Sequence, residues 1–182
     1  VLADLSPLIA AATEWLTRAY PACGGPLASA LCEAQARQAV TVAAWLRYPT
    51  AMDAAPVAMA GPGGAGRLDW IVGADTPDIA DTTRSVDGSE DDAWRTWVDE
   101  AVVSWAASLL TDDRLAGLAV AALADGEHTT AAPVEFGRLR SPDEGDRRAA
   151  ALLRHPDLLD PVASLHREEL LGRLGTGQTL VA

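Results

Sequence analysis

A chain of 182 residues with 14 basic and 26 acidic side chains carries a formal net charge of −12, which repels phosphate backbones and anionic lipid surfaces and so excludes nucleic acid and membranes as expected partners. Every basic residue is arginine, so Schiff-base chemistry and a P-loop lysine are excluded too. At this length folding buries roughly 70% of the surface that the unfolded chain exposes, and one domain over 1–182 needs neither metal nor disulfide to hold its core.

Ser6 as N-cap and Pro7 at the first helical position predict a helix carrying Leu8, Ile9, Ala12, Trp15, Leu16 and Ala19 at helical spacing, ending at Tyr20 before Pro21. Cys23, Gly24, Gly25 and Pro26 read as a tight connection into a second helix from Leu27 to Tyr48, closed by Pro49. Its expected inner face is Leu31, Ala34, Val42, Trp45 and Leu46, with Glu33, Arg37 and Arg47 toward water, and the two helices are expected to pair antiparallel. Cys23 and Cys32 have no CxxC spacing and no histidine close enough in sequence for a zinc motif, so they read as two thiols of a cytoplasmic protein.

From residue 50 to 92 regularity is lost, first in an Ala, Pro and Gly stretch and then in an acidic one, and the segment reads as an irregular insert. Gly61, Gly63 and Gly66 match GxGxxG, with Val57 to Ala60 as an entering strand, but Pro77 and the aspartates leave no room for the long helix a dinucleotide needs. The glycines therefore read as a flexible connection. Arg67 to Val72 alternates weakly and is expected to pair with Pro133 to Leu139, with Val134 and Phe136 on one side, as a small two-stranded ribbon. Asp75, Asp78, Asp81, Asp87, Glu90, Asp91 and Asp92 surround a lone Arg84; read as an EF-hand opening at Asp81, the run has Val86 where glycine is required and Asp92 where a bidentate Glu is required. It reads as a solvated acidic loop and a docking surface for a basic partner, with no metal.

Ser89 with Asp92 forms a near capping box for a helix to Leu110, on which Trp94, Trp97 and Trp105 share a face with Val98, Ala101 and Leu109. Thr111, Asp112 and Asp113 start the next helix, through Ala124, with Leu115, Leu118, Ala119, Ala122 and Leu123 inward and Gly126 as C-cap. Ser141, Pro142 and Glu144 cap a helix to Arg154, with His155 at its C-terminal end, and Asp160 with Pro161 starts the last helix, ending near Gly175. The longest apolar stretches, near Ala101 to Leu110 and Leu115 to Ala124, are about half the ~20 residues a membrane span requires, and no signal peptide is visible.

Among the histidines His128, His155 and His166, only His166 with Glu169, three residues on, suggests an acid/base or metal pair, and the further ligands of a ferritin-like dimetal site are absent. No GxSxG elbow occurs and Cys23 has no assignable base, so no catalytic, cofactor or metal residue is assigned.

The expected fold is mainly α: one domain of about six helices with an irregular insert over 50–92 and the small ribbon. The expected function is a non-enzymatic helical interaction or assembly module in the cytoplasm. It would meet another protein, with a basic surface, through Asp75, Asp78, Asp81, Asp87, Glu90, Asp91, Trp94 and Trp97. One rival is a small enzyme or binding protein holding an apolar ligand between the Trp94 and Trp45 helices. The opening helix pair, with no diagnostic motif, resembles helical adaptor subunits of phage heads. That resemblance implies a second rival, a structural subunit of a larger, phage-like assembly that would self-associate through an apolar patch.

Overall fold

Two alanine-rich helices pack against each other at the centre of the fold, α2 (Pro26–Arg47) and α5 (Glu100–Thr111). The computed structural model describes residues 4–73, 92–131 and 135–178, and among these it contains helices and turns and no strand. Every residue of α5 from Ala101 to Leu110 is buried, as expected of a helix that is apolar on all sides. In α2 the buried set runs through Cys32, Gln35, Ala36, Ala39 and Val40 and then takes in Val42 to Leu46 without a gap. Leu31 and Ala34 sit at the rim instead, because α2 is covered on several sides and its inner face is wider than a single stripe.

The remaining elements surround this pair. α1 (Ser6–Ala19) packs on α2, and its first turn has Pro7 where expected, but Leu5 is the N-cap and Asp4 Oδ1 accepts the Ser6 N–H at 2.9 Å. Tyr20 ends α1, and its hydroxyl donates to the Leu158 carbonyl at 3.3 Å. A capping box of Thr50 and Asp53 starts α3 (Ala51–Ala60), and α4 (Gly66–Ile71) follows. Residues 51–71 are thus largely helical, not irregular, which suits a segment rich in alanine, the best helix former. The expected ribbon is not formed among the described residues: Arg67 to Ile71 lie in α4 and Gly137 to Arg140 form α8 (Gly137–Arg140), while Pro133 and Val134 lie outside the described residues.

The tryptophan helix is broken. Ala93–Trp97 is a 3-10 turn, Val98 is extended (ψ 127°), and α5 begins only after Asp99. The Asp99 carboxylate accepts the N–H groups of Ala101 and Val102 at 2.9 and 3.1 Å. A buried aspartate already satisfying these donors starts the helix here, ten residues after Ser89. Trp94 and Trp97 consequently share no helical face with Trp105.

Asp112 caps α6 (Asp113–Ala122) as expected. Its buried face is Leu115, Ala116 and Ala119, and Leu123 follows it into the core, whereas Leu118 is 41% exposed and Ala122 faces water. α7 (Glu127–Ala131) follows. The cap of α9 (Glu144–Ala149) is Asp143 with Asp146, two residues beyond the expected box. α10 (Pro156–Ala163) takes His155 as N-cap and contains Pro161, so His155 does not close the preceding helix; Asp160 and Pro161 lie inside α10, and the last helix is α11 (Arg167–Gln178).

A buried polar cluster joins α2, α5, α8 and α9. Arg154, whose side chain is 7% exposed, donates to Gln35 Oε1 at 2.6 Å and to the carbonyls of Arg138 and Leu110 at 2.8 and 3.2 Å. Gln35 in turn donates to the Asp146 carbonyl at 2.9 Å, and Arg138 pairs with the Asp146 side chain. Arginine's planar fork suits such a position because it can serve several acceptors while remaining charged.

Candidate functional site

Two places stand out against this core, an apolar ledge and a charged cleft. The ledge is built by α3, and α4 follows it with a further exposed apolar side chain. Helix α3 has Asp53 as its only charge, and that carboxylate is held in the N-terminal capping box, accepting from Thr50 N and Oγ1. Ala54 is its single buried side chain, with Val57 partly buried beside the core. Met52, Pro56 and Met59 fall at i, i+4 and i+7, one stripe of the helix, and all three are exposed, Met52 by 86% and Met59 by 83%. On α4, Trp70 is 74% exposed.

The glycines between these helices hold the ledge against the fold. Gly61, Gly63 and Gly64 have φ of 75°, 116° and 97°, a region that side-chain-bearing residues avoid. Gly64 N–H donates to the Val98 carbonyl at 3.2 Å, and a Cβ on Gly61 would lie 3.3 Å from the Thr96 carbonyl oxygen. Close backbone approach to the 93–97 turn therefore accounts for Gly61 and Gly64. Val57 to Ala60, expected as an entering strand, lie in α3. From α4, Asp69 accepts from Arg95 Nη1 at 2.8 Å on each carboxylate oxygen and from the Trp15 Nε1–H at 2.8 Å, which fixes this helix to the turn and to α1.

The cleft lies where α2 ends, α5 begins and α11 begins. The Tyr48 hydroxyl donates to Asp99 Oδ2 at 2.5 Å. Burial first, and then the hydrogen bond and charge of Asp99, push the Tyr48 phenol up to about 12. His166 sits between two carboxylates, Nδ1 at 2.9 Å from Glu169 Oε1 and Nε2 at 2.7 Å from Glu100 Oε1. Both ring nitrogens face acceptors, so both must donate, and the ring is an imidazolium in this geometry. Burial works against that charge, but the bonds to Glu169 and Glu100 outweigh it and hold His166 above the usual histidine range, while the same bond draws Glu169 below the usual carboxylate range. Arg67 reaches Glu100 at 3.3 Å. The Arg47 guanidinium lies over the rings of Tyr48 and Trp105 at 5.8 and 5.7 Å. Beside it opens a cleft of about 350 Å³ lined by Leu46, Arg47, Trp105, Glu169 and Arg173.

Of the residues singled out from sequence, Asp75, Asp78, Asp81, Asp87, Glu90 and Asp91 lie outside the described residues. Trp94 and Trp97 are half-buried and packed against the core. Trp94 lies between the guanidiniums of Arg18 and Arg95, 5.1 and 5.0 Å from its ring centroid. Trp45 stacks on His128 at 5.4 Å and meets Phe136 edge-on, ring contacts that it does not share with Trp94, although both belong to or pack on one core. The spacing of His166 and Glu169 is realised as a contact, and Glu100 joins it from α5. Cys23 is exposed and Cys32 buried, both as free thiols. Among the described residues no group of three or more His, Cys, Asp or Glu could hold a metal ion, and no helix is long and apolar enough to cross a membrane.

Sequence reasoning missed the ledge and most of the cleft. The signal for the ledge was present, a nearly uncharged stretch with methionines seven residues apart. No protein family model, curated protein or solved structure matches this chain.

Proposed function

We propose that this protein is a non-enzymatic helical interaction module that docks a basic amphipathic helix of a partner protein on the α3–α4 ledge. The observation that carries the reading is the exposed stripe of Met52, Pro56 and Met59, with Trp70 exposed on the next helix. Single exposed apolar residues are ordinary, but an apolar row along a helix with no charge in it marks a surface meant for another protein. Methionine suits the task because its unbranched, polarisable side chain adapts to the knobs of a docking helix.

The net charge of −12 selects the partner. It repels a second copy and attracts a helix with Lys or Arg on its flanks, adding rate and selectivity to the apolar contact. Asp75, Asp78, Asp81, Asp87, Glu90 and Asp91 follow α4 in sequence and belong to this attraction. The reading also takes the chain as one domain, supported by a core that runs without interruption from Leu5 to Leu174. It takes the setting as cytoplasmic, supported by two unpaired thiols.

The test is a titration with a synthetic helix of Leu and Lys in amphipathic order, followed by tryptophan emission. Trp70 is exposed while Trp15, Trp45 and Trp105 are buried, so docking is expected to move emission to the blue, saturably. The double variant Met52→Ser, Met59→Ser should weaken binding, and Trp70→Ser should remove most of the shift. A Leu and Glu helix of the same design should not bind. The reading fails if the basic helix leaves the emission unchanged, or if the double variant binds it as well as the parent does.

A further inference from the structure

We propose that the cleft beside α2, α5 and α11 binds a small carboxylate anion between the guanidiniums of Arg47 and Arg173. The proposal is independent of the ledge. The cleft, about 350 Å³, is at the small end of ligand-site volumes. It presents two arginines and one carboxylate, Glu169, in a molecule that is otherwise strongly acidic.

Both guanidiniums keep unused donors. Arg47 approaches Asp99 only to 3.8 Å and Glu169 only to 3.6 Å, both beyond N–H···O hydrogen-bonding distance. Its Nε is buried without an acceptor. Stacking over Tyr48 and Trp105 holds the plane of the fork in place, with Arg47 also close to the Tyr48 hydroxyl. Arg173 donates from Nε to the Leu46 carbonyl at 3.1 Å. That bond fixes the root of its fork, and its terminal nitrogens pair with no carboxylate among the described residues.

Most other described arginines are ion-paired, as Arg95 is with Asp69 and Arg138 with Asp146. A planar carboxylate matches the fork of a guanidinium with two acceptors. Glu169, whose Oε1 is held by His166 while Oε2 faces Arg47, already shows that a carboxylate is accommodated at the rim. An incoming anion would complete the contacts that Glu169 makes only loosely.

The test uses the full chain, labelled with ¹⁵N, and reads the Nε–H signals of its arginines while benzoate is added. Benzoate is expected to shift the Arg47 and Arg173 signals saturably, and benzamide, its uncharged counterpart, is expected to leave them in place. Arg173→Gln should weaken binding about tenfold or more, the usual loss for a charged hydrogen-bond donor. Glu169→Gln should tighten it by removing the carboxylate that competes for Arg47. Arg173 is exposed, and circular dichroism checks that its variant is folded. Equal shifts with benzamide, unmoved signals with benzoate, or an unchanged affinity in Arg173→Gln would each overturn the proposal. So would binding of inorganic phosphate without binding of benzoate.

Discussion

His166 sits at the centre of one of the fold's polar networks. It joins Glu100 at the start of α5 to Glu169 in α11, and its backbone carbonyl accepts the Trp105 Nε1–H at 3.0 Å. Arg47 and Arg67 stand behind the two carboxylates, 3.6 Å from Glu169 and 3.3 Å from Glu100. The folded-state pKa of His166 lies above its ordinary 6.5. Its protonated form therefore stabilises the fold fully below that value, and the contribution is lost as pH rises through the raised pKa. His166→Gln is expected to lower the melting temperature at about pH 5.5 and to leave it near that of the parent at about pH 9. Thermal melts at the two pH values decide the matter, and an equal deficit at both would mean that the ring acts by shape alone. Half of this site could be read from the chain, because His166, immediately before α11, and Glu169, in its first turn, are only three residues apart. Glu100, Arg47 and Asp99 could not, since only the packing of α2, α5 and α11 brings them within reach of one another.

The boundaries of α1 and α2 were legible because prolines set them, and the start of α5 was illegible because one buried aspartate among many sets it. Pro7, Pro21, Pro26 and Pro49 bracket α1 and α2, and both helices fall within a residue of where those residues place them. Before α5, the spacing of Trp94, Trp97 and Trp105 is helical across a break that only Asp99 reveals, and Asp99 is one of many aspartates. Its role is visible once it is seen to be buried, accepting two backbone N–H groups and the Tyr48 hydroxyl. Asp99→Ala removes cap and acceptor together and is expected to cost about 2 kcal/mol or more. Asp99→Asn keeps a good cap and should cost visibly less. Urea unfolding of the two variants measures the difference, and equal losses would show that the carboxylate's charge, not the cap, holds the start of α5. Helix α3 was hidden for a different reason. Its alanines favour a helix, but Pro56 and the glycines after it read as interruptions, whereas the structure absorbs Pro56 inside the helix and uses Gly61 to end it.

Charge acts over the whole molecule. Arg18, Arg37 and Arg148 pair within one turn of their own helices, and exposed pairs of this kind contribute little to stability. What remains is an excess of carboxylates that keeps copies apart, set against a ledge whose apolar stripe invites contact. Repulsion is expected to prevail. Light scattering should give the monomer mass of 19.0 kDa at low and at physiological salt. A dimer mass that grows with salt would instead assign the ledge to a second copy and favour an assembly subunit.

The clasp between α4 and the 93–97 turn has a consequence for how the chain tolerates change. Residues 64 and 69 are fastened to 98 and 95 by the Gly64–Val98 hydrogen bond and the Arg95–Asp69 ion pair. Gly73 and Asp92 each lie within four residues of this clasp along the chain. The entropy of joining two fixed points grows only with the logarithm of the length between them. A change in the length of the chain between Gly73 and Asp92 is therefore expected to alter the stability of the frame only slowly.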